Sequence, residues 1–130
     1  QYILAVDRNN PSVSALYSAF NPAVLAALYA VARVARKAGK PVSICGEMAG
    51  DPGAAMLLLA MGYDALSMTA TNLPKVKSII RSATSEEAKQ LLDRVLKMDE
   101  VGAIHAAIED VLDKKGITRL FREPVRKRSA

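Results

Sequence analysis

Tryptophan is absent from this 130-residue chain, cysteine and histidine each occur once, and aromatic residues make up 5%. Each scarcity excludes something. One cysteine cannot close an intrachain disulfide, and one cysteine with one histidine gives no ligand spacing of the zinc type. A lone reduced thiol suits a cytoplasmic location. The longest apolar run, AAMLLLAMG at 54–62, is far too short to span a bilayer as a helix, and no secretory signal is read, so a membrane partner is not expected. No pattern of interleaved basic and aromatic residues is present, so nucleic acid is not an expected partner either.

What is present is small and aliphatic. Apolar residues make up 51% of the chain, with alanine prominent, a mix that favours packed helices over an all-β fold. The formal charge is +5, but most of the excess sits in residues 119–128, RLFREPVRKR. That places a solvated basic tail at 117–130 behind a nearly neutral domain at 1–116.

Punctuation along the chain divides it into elements. Tyr2–Val6 reads as a strand end or buried loop, closed by the polar cluster Asp7-Arg8-Asn9-Asn10-Pro11. Asn21 as cap, Pro22 in the first turn and Gly39 beyond the end predict a helix over 22–38. Its apolar stripe is Val24, Leu25, Leu28, Val31, Ala32 and Ala35. Val42–Cys45 and Ala65–Met68 read as short strands. Between them, Asp51-Pro52 starts a helix that Gly62 ends, and its apolar circumference requires cover from neighbouring structure or a partner subunit. A further helix begins at Thr71 or Asn72. Thr84-Ser85-Glu86-Glu87 is a capping box ahead of Ala88, Leu91, Leu92, Val95 and Leu96. Asp99 is the expected cap of a last helix, with Val101, Ile104, Ile108, Val111 and Leu112 facing inward and Gly116 closing it.

Alternating helices and strands joined by short connections argue for α/β architecture with a parallel sheet. Two or three strands neither close a barrel nor shield both faces of a sheet. The expected fold is therefore the C-terminal portion of a (β/α)8 TIM barrel, helix-rich, with extra C-terminal helices.

Active sites of such barrels lie at the C-terminal ends of the strands. Cys45 falls there, followed by Gly46, which would let the backbone turn without crowding a ligand. The thiol could be a nucleophile, a proton donor or a redox sensor, or simply a small core residue. Arg8, in a polar loop after an apolar run, is either a phosphate or carboxylate fork or a surface charge. Glu47 would support a neighbour by hydrogen bonding or cap the loop. His105 borders an apolar stripe and reads as a packing or surface residue, and Met48, Met56, Met61 and Met68 as core filler.

Four runs, YILAVDRNNP, GKPVSICGEMAGDP, LLLAMGYDALSM and TNLPKVKSIIR, closely resemble in this order the C-terminal part of the phosphoenolpyruvate-protein phosphotransferases, enzyme I of the phosphotransferase system. The details look more like the nitrogen-related branch. The likeness covers about residues 1–95 and weakens in the helical tail. It implies an enzyme that moves phosphate from phosphoenolpyruvate to a histidine on a separate domain, then to a small phosphocarrier protein, releasing pyruvate. It also implies a magnesium ion and a homodimer. By the same resemblance the cysteine of CGE, here Cys45, is the acid that protonates the enolate carbon. The arginine of AVDR, here Arg8, contacts the substrate's phosphate.

The family's magnesium carboxylate, its Asn-Asp pair, further arginines and its phosphorylated histidine match no residue of this chain, and His105 does not fit the phosphorylation motif. The expectation is a fragment that does not turn over alone. Two other readings remain: an association module built on the apolar helix at 52–61, and a redox sensor centred on Cys45.

Overall fold

The computed structural model describes residues 1–116; the expected basic tail lies outside the described residues. Five α-helices are present among them: α1 (Pro22–Lys37), α2 (Pro52–Met61), α3 (Leu73–Ser82), α4 (Ser85–Val95) and α5 (Val101–Lys114). Two strands, β1 (Ser43–Cys45) and β2 (Ala65–Ser67), pair in parallel with Ser43 opposite Ala65 and Cys45 opposite Ser67. The helix-rich α/β class is as expected. The described residues form a two-stranded sheet and do not close a barrel.

Local chemistry sets most boundaries. The Asn21 Oδ1 accepts from the Ala23 N–H and the Asp51 Oδ1 from the Ala54 N–H, each with proline at the following position. Gly62, at φ 94°, closes α2 in the left-handed region. Thr84 and Glu87 form both halves of the capping box.

Helix α2 is the hub. Residues Gly53 through Leu58 and Met61 are buried, and α1, α3, α4 and α5 all contact this helix. Gly53 allows the close approach of α5, because a Cβ there would collide with Ile108. The cover that the apolar circumference demands comes from within the chain, which removes the sequence argument for a partner subunit over 52–61.

Three other expectations change. The buried stripe of α1 is Leu25 and Ala32 with Leu28 and Tyr29 half-buried, whereas Val31 is 54% exposed. Only α2 packs closely on α1, so the stripe is narrow and Val31 falls outside it. Tyr2–Val6 is neither a strand nor a buried loop: it forms hydrogen-bonded turns with Ala5 at φ 51°, and Tyr2 is 98% exposed while Val6 is buried. Glu100, not Asp99, occupies the N-cap of α5, without a side-chain bond. Met56 and Met61 are buried and Met48 and Met68 pack against the core, as expected of filler.

Lys115 ties the last three helices together. Its Nζ donates to the Ser82 carbonyl at the end of α3 (2.9 Å) and to both Glu87 oxygens at the start of α4 (2.8 and 2.9 Å). These bonds, the Lys115 contact foremost and then those from Thr84, lower the Glu87 carboxyl to about pKa 2. A depressed carboxyl stabilises the fold fully above its unfolded value, 4.5, and that contribution disappears as pH falls toward 2.

Two measurements check this account. Leu57→Ala, which empties a fully buried site in α2, should destabilise the fold by about 2–5 kcal/mol in urea unfolding; a loss below 1 kcal/mol, as for an exposed position, would contradict the hub role. Glu87→Gln should flatten the dependence of stability on pH between about 4.5 and 2, leaving the profile above that window parallel to the parent's; equal slopes inside the window would refute the coupling.

Candidate active site

Both strands are short and run side by side, so their C-terminal ends open onto one place. Each strand is exposed at its first and third residue and half-buried at its second. Ile44 and Leu66 therefore turn toward the helices, while Ser43, Cys45, Ala65 and Ser67 present small side chains to the open face. Their N-terminal ends are clasped by Asp64: its N–H donates to the Val42 carbonyl (2.9 Å) and its carboxylate accepts from the Val42 N–H (2.7 Å).

At the C-terminal ends lies an open cleft of about 400 Å³. Cys45, Gly46 and Glu47 line it from the β1 side, and Ser67, Met68, Thr69 and Asn72 from the β2 side. The Cys45 thiol is exposed. Gly46 has φ 100°, a conformation side chains resist, and open space surrounds the position a Cβ would take. Backbone geometry, not crowding, therefore requires glycine directly after the thiol.

Asn72 stands at the N-cap of α3, one of the two residues at which that helix is expected to begin, but its part in the cleft is not read from the sequence. Its backbone is helical (φ −88°, ψ −22°) and its side chain makes no cap bond. Its amide lies instead against Gly50, where a Cβ would sit 2.6 Å from Nδ2, and lines the cleft. Ser67 and Thr69 were also missed. The signal was available, since Ser67 ends the second strand as Cys45 ends the first, and Thr69 and Asn72 lie just beyond it.

Arg8 is exposed and does not line this cleft; its backbone N–H donates to the Gln1 Oε1 (3.0 Å). Val6 alone is buried among residues 1–12. His105 is exposed and meets Phe20 edge-on at 4.7 Å, which is a packing contact. Glu47 is the only carboxylate lining the cleft, and the described residues hold no group of three or more His, Cys, Asp or Glu placed to bind a metal. One carboxylate does not make a divalent-cation site, so the residues present do not by themselves fit magnesium.

Residues 1–85 match the family model described as PEP-utilising enzyme, PEP-binding domain. The chain belongs to this family. The matched PEP-binding region takes in Arg8, Cys45, Glu47 and Asn72. Over 122 residues the chain is 38% identical to a Salmonella typhimurium protein named phosphoenolpyruvate-dependent phosphotransferase system, covering 94% of this chain and 16% of that one. It is 41% identical over 113 residues to the phosphoenolpyruvate-protein phosphotransferase of Buchnera aphidicola subsp. Baizongia pistaciae (87% and 20% covered). With that of Priestia megaterium the identity is 46% over 98 residues (75% and 17% covered). The chain thus spans a fifth or less of the length of these relatives. Among the described residues, no helix is long and apolar enough to cross a membrane.

Proposed function

We propose that this chain supplies the reaction acid and part of the substrate pocket of a phosphoenolpyruvate-protein phosphotransferase, in its nitrogen-related branch. The observation that carries the proposal is the exposed Cys45 thiol at the mouth of a cleft formed by two parallel strand ends, in a chain of the PEP-binding family. The finer branch rests on the residue-level resemblance of the four motif runs. The rest of a (β/α)8 barrel would cover the small-residue face of β1 and β2, because a parallel sheet with one bare face is incomplete.

The reaction divides cleanly. The phosphoryl group passes to a histidine nitrogen of another domain as its bond to the enol oxygen breaks. The enolate of pyruvate remains, with carbon 3 as the base. Cys45 supplies the proton: its S–H bond breaks, a C–H bond forms, and the thiolate regains a proton from solvent. Arg8 holds the phosphate, a role that depends on placing a guanidinium beside the charge. For Arg8 to reach the cleft region, the segment 1–12 must be positioned by contacts beyond those described. Glu47 and Asn72 orient the substrate or the thiol across the cleft.

The magnesium ion implied by the resemblance would take its ligands from residues outside this chain, and no step above is routed through it. The phosphocarrier protein, the homodimer and the phosphorylated histidine rest on the same resemblance, as does the inference that the chain alone does not turn over. A cytoplasmic setting follows from an acid that must remain a reduced thiol.

In the full-length protein, Cys45→Ala should slow pyruvate formation from phosphoenolpyruvate by about 10²–10⁴-fold, the usual worth of a general acid. The same variant should lose exchange of the pyruvate methyl protons with solvent, followed by NMR. Unchanged exchange would remove Cys45 from the role. Arg8→Ala should weaken phosphoenolpyruvate binding about tenfold or more, as expected for losing a charge-assisted contact. Unaltered affinity, measured by calorimetry, would reject that assignment.

A further inference from the structure

A second cleft, of about 250 Å³, lies on the helical layer, away from the thiol. Arg33 and Arg36 reach it from α1 and Lys89 and Asp93 from α4, over a floor that includes Met61 of α2. Three cations converge on one acid, and among the described residues none of the three forms an ion pair within 4.0 Å, Asp93 included. Arg33 is held by the Tyr29 ring, its guanidinium carbon 5.7 Å from the centroid. Such an arrangement keeps a planar fork in place and leaves its N–H groups free for an oxyanion. Like charges brought together over a low-dielectric floor repel unless a counter-ion joins them.

Topology separates this cleft from the Cys45 site. It draws on the last turns of α1 and α2, which lead into the N-terminal ends of β1 and β2, whereas Cys45 and Ser67 mark the C-terminal ends. We propose that the α1–α4 cleft binds a small phosphate-bearing anion, with Arg33 and Lys89 as its grips. Arg36 has a competing task. Its guanidinium fills the space beside Gly62, at the end of α2, where a cation complements the helix dipole. The test therefore rests on the other two.

The full-length protein, labelled with ¹³C at its methionine methyls, is titrated with inorganic pyrophosphate at constant ionic strength held with chloride. Met61 reports on the α1–α4 cleft and Met68 on the Cys45 cleft. The expected result is a saturable shift of Met61 that Arg33→Ala with Lys89→Ala weakens about tenfold or more, while the Met68 response is unchanged. The resting spectrum of the double variant, matched to the parent at Met56 and Met68, confirms an intact fold. A Met61 signal that does not move, moves without saturating, or saturates equally in the double variant overturns the proposal. So does an equal shift with chloride alone.

Discussion

Everything in this fold depends on hiding one helix. Eight of the ten residues of α2 are alanine, leucine or methionine, and the helix has no polar face to offer water, so it is stable only when surrounded. The chain surrounds α2 by wrapping four other helices onto it, and those contacts fix where β1 and β2 emerge on either side. The placement of the thiol is thus a downstream result of apolar burial. Glycine at 53 is part of the same constraint, because any side chain there would hold α5 away from the hub.

The molecule is polarised along its strands. One end gathers small polar groups, a thiol and a single carboxylate around an open cleft; the other gathers the Asp64 clasp and the cationic helix ends. The chemistry proposed on phosphoenolpyruvate falls at the first end, by the logic of parallel α/β sheets. Charge at the second end has no such duty.

The sequence announced the helices well because their signals are local. Asn21-Pro22, Asp51-Pro52 and the Thr84–Glu87 box each satisfy a backbone donor within three residues, and Gly62 ends its helix by backbone preference alone. Packing partners are not local, and there the reading faltered. Val31 looked buried by spacing, but only α2 packs closely on α1 and Val31 falls outside that contact. The cover over α2 was left open between neighbouring structure and a partner subunit, and four helices of the chain supply it. At the site, Cys45 was legible from its position at the end of a strand, and the family resemblance implied a role for it. Asn72 was not, because an asparagine at the start of a helix has an ordinary explanation, and only the structure shows that its side chain makes no cap bond.

The Asp64 clasp bears on the thiol from the far end of the strands. Two three-residue strands have little of their own to specify which residue faces which, and a slip of one position inverts both faces. Inverted, Cys45 would point into the helical layer and Ile44 would stand in the cleft. By exchanging two hydrogen bonds with Val42, Asp64 holds the alignment at which the thiol faces outward. Which face of the sheet carries the thiol, and not merely the stability of the sheet, is therefore entrusted to a carboxylate at the opposite end of the strands from the Cys45 cleft.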